Sequence, residues 1–340
     1  MKVTIFGAGA VGSNVAVKLA SAGVAEVSVV ARGAHLAAIR ERGLTLIQKG
    51  TRTTVRPAHA TDDPATLPPQ DLVISTLKAN SLSAAAPALA RLRAPDAAVL
   101  FLLNGIPWWW PHGLPAGHPA AAAPVDLLDP DGALRRELGF EAALGGVVYS
   151  PNEVIEPGVV QNHTRNQYVL GEPDGSISPR LQQAHDLFAA AGVDVSMQRD
   201  LRAELLYKLV INACSNPLCA LTRLTAYQRL CDPGLRELAA QVIREVMAAS
   251  EAMGWKLDVD IEAETDPARI KGSRPSMLQD TLLGRPLEVE PMLGQMQVLA
   301  RSVGVPTPAL DTITVLLRGL DLHLRRAGAP DPAAIEPVVR

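Results

Sequence analysis

Apolar and polar positions change period several times along this chain. Val3–Phe6 is a short apolar, β-branched run that reads as a strand, Val11–Ala22 repeats at helical spacing, and Glu26–Ala31 returns to a strand. Ala34–Arg42 is predicted helical. Leu44–Gln48 and Thr53–Arg56 flank Lys49-Gly50 as a hairpin or strand pair. Asp71–Leu77 reads as a strand, a helix follows near Ser83–Arg93, and the continuous apolar run Ala97–Leu103 predicts a strand buried on both faces. This alternation implies a parallel sheet with helices on both faces, the Rossmann type of α/β architecture. Leu114–Pro130, rich in Ala and Pro, reads as loop. Gly145–Ser150, Val159–Gln161 and Tyr168–Leu170 are later strands, and Pro179–Ala191 is a helix. From Asp200 onward helical patterns dominate: Leu201–Asn216, Gly234–Met253, Ser276–Leu283, Pro291–Val303 and Ala309–Arg326. A boundary near residue 198 is therefore expected, with an α/β domain over 1–198 and a mainly helical domain over 199–340.

Composition narrows the function classes. The 340 residues are 48% hydrophobic, which excludes intrinsic disorder. A net charge of −3, from 32 Lys+Arg against 35 Asp+Glu, leaves no basic excess for a nucleic-acid backbone. No apolar run reaches the ~18 residues a membrane span needs, and the longest, Ala97–Trp110, is interrupted by Asn104, Gly105 and Pro107. Met1 leads directly into the first strand, so no secretory signal is expected. Cys214, Cys219 and Cys231 fit no zinc spacing and read as small hydrophobes of a reduced, cytoplasmic protein. His112, His118 and His163 do not group at metal-ligand spacing, so no metal site is expected.

The candidate chemistry starts at Gly7-Ala8-Gly9-Ala10-Val11-Gly12, a G-x-G-x-x-G between a predicted strand and a predicted helix. Gly7 permits a tight turn, Gly9 lets a pyrophosphate approach the backbone, and Gly12 lets the helix pack on the sheet. Free N–H groups at the helix start then face the anion. At the end of the second strand, where a carboxylate would bind the ribose diol of NAD, this chain has Arg32. A guanidinium there suits the 2′-phosphate of NADP(H). In the second half, Lys208, Asn212 and Asn216 recur every four residues and form one row on a largely apolar helix that Asp200 can cap. Polar groups on such a face need water, a partner or a ligand. Amides suit hydroxyl and carboxylate groups, and a lysine can protonate an oxyanion forming from a ketone. A solvated stripe is the other reading of this spacing. Pro217 is expected to end or kink the helix just after Asn216.

These residues, with Ser75-Thr76-Leu77-Lys78, Leu103-Asn104-Gly105, Arg202-Ala203-Glu204-Leu205, Asn216-Pro217-Leu218, Ser276-Met277-Leu278-Gln279-Asp280 and Glu288, make the chain resemble the ketopantoate reductase family over almost its whole length. The resemblance implies NADPH-dependent reduction of 2-dehydropantoate to (R)-pantoate, on the route to pantothenate, or reduction of another 2-oxo acid or imine. It implies that Lys208 is the general acid and that Glu288 lies near it and the nicotinamide ribose. Asn104 is implied between nicotinamide and substrate, and Lys78 near the cofactor. Asn212, Asn216 and Ser276 are implied to hold the substrate. The helical domain is implied to be like that of 6-phosphogluconate dehydrogenase.

One segment departs from the family pattern. After Asn104-Gly105 the chain reads Ile106-Pro107-Trp108-Trp109-Trp110-Pro111-His112, three of its four tryptophans in a row. They form either an aromatic wall beside a larger or flatter substrate, or packing of the loop, or an oligomer contact. The apolar helical faces of the second half could bury a homodimer interface.

Overall fold

The first strand, β1 (Lys2–Phe6), is buried from its second residue onward, as expected of a parallel strand covered on both faces. It opens a structure, a computed structural model, that describes residues 1–269 and 274–327. The chain forms two units, Met1–Leu114 with Asp129–Glu204, and Pro115–Leu128 with the chain from Leu205 onward.

In the first unit β1 is followed by α1 (Ala10–Ser21), β2 (Glu26–Val30), α2 (Gly33–Arg42), β3 (Leu44–Gln48), β4 (Thr51–Val55), β5 (His59–Thr61) and β6 (Gln70–Ser75). Then come α3 (Leu82–Leu92), β7 (Arg93–Leu102), α4 (Ala133–Glu137), β8 (Ala143–Tyr149), β9 (Asn152–Glu156), β10 (Val159–Asn162), β11 (Gln167–Gly171), α5 (Pro179–Ala190) and β12 (Asp194–Met197). Among the described residues the main sheet has the order β12-β11-β8-β7-β6-β1-β2-β5. Its pairs are parallel except β8 with β11. From β1 the chain winds outward to β2 and then returns to the other side of β1 as β6, the crossover expected of a doubly wound sheet.

A second sheet, β4-β3-β10-β9, lies against α1. The β3–β4 hairpin turns on Lys49 and Gly50, both at positive φ (48° and 78°), the conformation a two-residue hairpin turn needs. An amide network ties α1 to this sheet. Asn14 donates to Asn152 Oδ1 at 2.7 Å and accepts from Asn166 Nδ2 at 3.0 Å, and Asn162 donates to Asn152 Oδ1 at 3.0 Å.

The tryptophan run is interior. Trp108, Trp109 and Trp110 are 1%, 1% and 0% exposed. Trp108 stacks on Phe140 at 5.3 Å and meets the edge of Phe101 at 5.7 Å. A Cβ on Gly145 of β8 would overlap the Trp109 ring and Leu201, so glycine on the sheet makes the room the indole fills. Side chains with no exposed surface cannot line an open wall or a lid. Of the readings the sequence leaves open, packing within this unit is the one observed.

Helix α6 (Leu201–Thr222) starts in the first unit and continues into the second. Asp200 Oδ1 accepts from Ala203 N at 3.1 Å, the expected cap. The helix does not end after Asn216. It continues through Pro217 because Pro217, Leu218, Cys219 and Ala220 are all buried, and packing outweighs the ~3 kcal/mol cost of an interior proline. The second unit continues with α7 (Ala226–Cys231), α8 (Pro233–Ala252), α9 (Ile261–Thr265), α10 (Ser276–Leu282), α11 (Gln295–Ser302) and α12 (Pro308–Ala327). Helix α8 packs against α7, α9, α11 and α12, and its Glu245 carboxylate accepts from Ala309 N and Leu310 N, both at 2.8 Å, capping α12. The loop before residue 129 joins this unit: Gln295 Nε2 donates to Pro124 O at 2.8 Å, and the His118 ring lies 4.9 Å from Trp255. Among the described residues no helix is long and apolar enough to cross a membrane.

Candidate active site

In the first unit, strand register collects the predicted cofactor residues on one rim. Phe6 pairs with Val30 and with Ser75, and Ser75 pairs with Phe101. The segments that follow these strands therefore leave the sheet side by side at its carboxyl edge: Gly7–Gly12, Ala31-Arg32, Thr76–Lys78 and Leu103-Asn104. In open α/β sheets this edge, at the crossover, is where ligands bind.

The turn itself is tightly made. Gly7 has φ +100°, and Gly7 N and Ala8 N both donate to Val30 O, at 3.1 and 3.0 Å. Gly9 N donates back to Gly7 O at 2.6 Å. Thr76 N donates to Phe6 O at 3.0 Å, and Thr76 Oγ1 donates to Gly7 O. A Cβ on Gly12 would collide with Thr76 Oγ1 and the Gly7 carbonyl, so only glycine lets α1 approach this closely. A Cβ on Gly9 would stand free, with nothing nearer than Gly7 O at 4.0 Å. No side chain caps α1, and no acidic residue sits in its first turn. Open space at Gly9, the N-cap of a helix whose first N–H groups have no side-chain cap, fits a dinucleotide pyrophosphate.

Arg32 is exposed and occupies the N-cap position of α2. Lys78 stands at the start of a short 3₁₀ turn that leads into α3. Asn104 follows β7 and precedes Gly105, which has φ +81°.

A support for this turn was not anticipated from the sequence. His35 on α2 accepts from Gly158 N at Nδ1 (3.1 Å), which leaves its proton on Nε2, facing Ser13 Oγ at 3.2 Å. Ser13 Oγ in turn donates to Ala8 O at 3.0 Å. Burial holds the His35 pKa below its ordinary value, with the Ala8 carbonyl pulling weakly the other way. The neutral imidazole is thus part of the scaffold behind the glycine turn. The sequence signal, Ser13 directly after Gly12 and His35 three residues after Arg32, carries no periodicity that would reveal it.

In the second unit the polar row on α6 is partly tied down. Asn216 is 4% exposed, while Lys208 and Asn212 are half-buried. Asn216 Nδ2 donates to Asn212 Oδ1 at 3.2 Å, and Asn216 Oδ1 accepts from Ser276 Oγ at 3.3 Å and Met277 N at 3.2 Å. Asn212, Asn216 and Ser276 are therefore brought together, with Lys208 one helical turn before Asn212. Glu288 is 7% exposed and stands two residues before a π-helical turn, Glu290–Gly294. Such turns are frequent at functional sites. Arg318 of α12 grips Glu290 through two bonds of 2.8 and 2.7 Å, and Asp321 Oδ1 accepts from Leu287 N at 2.7 Å, so the backbone on both sides of Glu288 is held. Neither Arg318 nor Asp321 was singled out from the sequence. His112 stacks on Phe140 and His163 faces Glu153 at 3.3 Å.

Comparison with known proteins adds an independent result. The family model described as ketopantoate reductase PanE/ApbA matches residues 3–111, and its C-terminal counterpart matches residues 200–321. A 2-dehydropantoate 2-reductase of Mesorhizobium japonicum is 37% identical over 94% of this chain and 98% of its own length. A structure assigned as a ketopantoate reductase from Ralstonia solanacearum has 32% identity and a TM-score of 0.87, covering 95% of this chain and 98% of that one. A D-mandelate dehydrogenase solved with NADH and anilino(oxo)acetate shares the fold at a TM-score of 0.79 and 21% identity, over 96% of this chain and 100% of the other.

Proposed function

The chain belongs to the ketopantoate reductase family and is an oxidoreductase, and we propose that its reaction is the reduction of 2-dehydropantoate to (R)-pantoate with NADPH, a step toward pantothenate and coenzyme A. NADPH, when bound, supplies the hydride. The turn Gly7-Ala8-Gly9-Ala10-Val11-Gly12 holds its pyrophosphate against the N–H groups at the start of α1, Arg32 pairs with its 2′-phosphate, and Lys78 adds positive charge at the same rim. Asn104 separates nicotinamide from substrate. Lys208 donates a proton to the ketone oxygen, and its charge stabilises that oxygen as negative charge builds on it. Asn212, Asn216 and Ser276 bind the substrate's hydroxyl and carboxylate, and Glu288 orients Lys208 and the nicotinamide ribose.

The observation that carries this reading is the fixed amide row on α6. Asn216 is locked by the start of α10 and passes that order to Asn212, so the amide next to Lys208 on this row of a largely apolar helix is preorganised. The burial of Trp108–Trp110 also supports the smaller, aliphatic substrate, because the aromatic wall that suggested a larger or flatter 2-oxo acid is packed inside the first unit. The free cysteines suit a reducing cytoplasm. A homodimer is part of the same proposal: Val315, Leu316 and Leu322 on α12, 65%, 56% and 49% exposed, offer apolar surface to a second copy, which sedimentation would detect.

The test is NADPH oxidation on addition of 2-dehydropantoate, against a panel of other branched and aromatic 2-oxo acids and with NADH in parallel. The highest kcat/KM is expected for 2-dehydropantoate with NADPH. A clear preference for another acid, or for NADH, overturns that part of the proposal.

A further inference from the structure

Arg202 is a buried cation whose donors go to backbone carbonyls. It is 7% exposed. Its Nε and Nη2 donate to Trp110 O at 3.0 and 2.7 Å, Nη2 also donates to His112 O, and Nη1 donates to Pro173 O at 2.6 Å. The guanidinium lies 5.5 Å from the Trp109 ring centroid and 5.6 Å from that of Trp110. Burial brings its pKa down to about 10, with Asp200 and Asp174 offsetting part of the effect, so it stays charged at neutral pH. Its planar fork of five donors holds the chain at Trp110 and His112 and at Pro173 in one rigid geometry, which the three rotatable donors of a lysine do not impose.

The loop it grips at Trp110 and His112 follows Asn104, and the helix it stands on leads to Lys208. Trp110 is six residues after Asn104, along a loop whose Ile106 and tryptophans are at most 1% exposed and whose turns are closed by Trp110 N to Pro107 O and His112 N to Trp109 O, both 3.0 Å. Lys208 is six residues after Arg202 on α6, about 9 Å along the helix axis. The same turn of α6 has a second tether, Tyr149 Oη donating to Glu204 Oε1 at 2.6 Å.

We propose that Arg202 is a positioning residue for the reaction, fixing the loop that carries Asn104 to the helical turn from which Lys208 is carried. This rests on the roles given above to Asn104 and Lys208. A ~1 Å shift of such a group can cost on the order of 10²-fold in rate.

The test compares the full-length enzyme with Arg202→Met and Arg202→Lys, measuring NADPH dissociation, kcat, KM and the isotope effect with 4-deuterated NADPH. Arg202→Met is expected to keep the NADPH Kd within about 3-fold while kcat falls roughly 30- to 100-fold and the isotope effect on kcat rises. Arg202→Lys, which keeps charge without the fork, is expected to recover several-fold in kcat. A merely structural arginine would lower the melting temperature and leave kcat of the folded fraction unchanged; kcat within 3-fold of the parent in Arg202→Met overturns the proposal. Should that variant not fold, Arg202→Lys decides: a kcat loss of about 5-fold at unchanged NADPH affinity supports the proposal, and kcat within 2-fold overturns it. An active parent insensitive at Arg202 defeats only the positioning role. A parent that oxidises NADPH with none of the 2-oxo acids defeats the underlying reading, and the positioning role falls with it.

Discussion

Placing one methyl group at Gly9 and, separately, at Gly12 distinguishes a glycine that faces ligand from one that faces protein. Gly9 has φ −77° and ψ −154°, open to any L-residue, and its Cβ would meet nothing nearer than 4.0 Å. In Gly9→Ala the poorer N-cap costs up to about 1 kcal/mol, and the stiffer unfolded chain returns about 0.4–1 kcal/mol. The melting temperature of the ligand-free protein should therefore stay within about 4 °C of the parent. The methyl group would occupy the approach of the pyrophosphate. Losing one charge-assisted hydrogen bond there, about 1.5–3 kcal/mol, weakens NADPH roughly 10- to 150-fold. Gly12→Ala behaves differently, because its Cβ overlaps Thr76 Oγ1 and the Gly7 carbonyl, and the carbonyl is backbone that cannot yield without moving the turn or α1. Overpacking of this kind costs about 1–3 kcal/mol, or roughly 2–12 °C, in addition to a loss of NADPH affinity. The assays are differential scanning fluorimetry without ligand and fluorescence titration with NADPH. Gly9→Ala binding NADPH within 2-fold of the parent would refute the reasoning, because the open face of the turn would then not be the phosphate site.

The interior position of Trp109 predicts that Trp109→Leu destabilises the protein by about 2–4 kcal/mol in denaturant titration while leaving KM for the 2-oxo acid within 2-fold. An unchanged midpoint with a tenfold higher KM would restore the aromatic wall. His35 has a folded pKa below its unfolded value, so the unfolded chain takes up the proton more readily. Its contribution to stability is present above the ordinary imidazole value near 6.5 and is lost as pH falls toward the folded value. The melting temperature is accordingly expected to fall more steeply from pH 7.5 to about pH 5.5 in the parent than in His35→Gln; equal slopes would remove His35 from the scaffold of the glycine turn.

Local signals carried much of the fold. The β1–turn–α1 unit, the cap at Asp200, the Lys49-Gly50 hairpin and the helical second half each follow from short-range periodicity, capping or turn chemistry, and all are present. What could not be read there depends on partners distant in sequence. Strand β10 pairs in parallel with β3, more than a hundred residues away, and the short, partly polar β9 and β12 take their strand form from neighbours. Pro217 stays helical because the residues beyond it are buried. Three tryptophans between two prolines read equally well as surface or core until Gly145 on β8 is seen to leave room for one of them. The candidate site divides the same way. Spacing placed Lys208, Asn212 and Asn216 on one face, but the bond from Ser276 to Asn216, the His35–Ser13 support and the grip of Arg318 on the π-turn beside Glu288 needed coordinates.

The central claim is that an ammonium group on α6 protonates the ketone. Single-turnover NADPH oxidation with 2-dehydropantoate by Lys208→Ala, at saturating NADPH and with NADPH affinity measured on the same sample, tests it most directly. The account predicts a rate lower by roughly 10²–10⁴-fold with NADPH binding retained. A rate within a few-fold of the parent would contradict it.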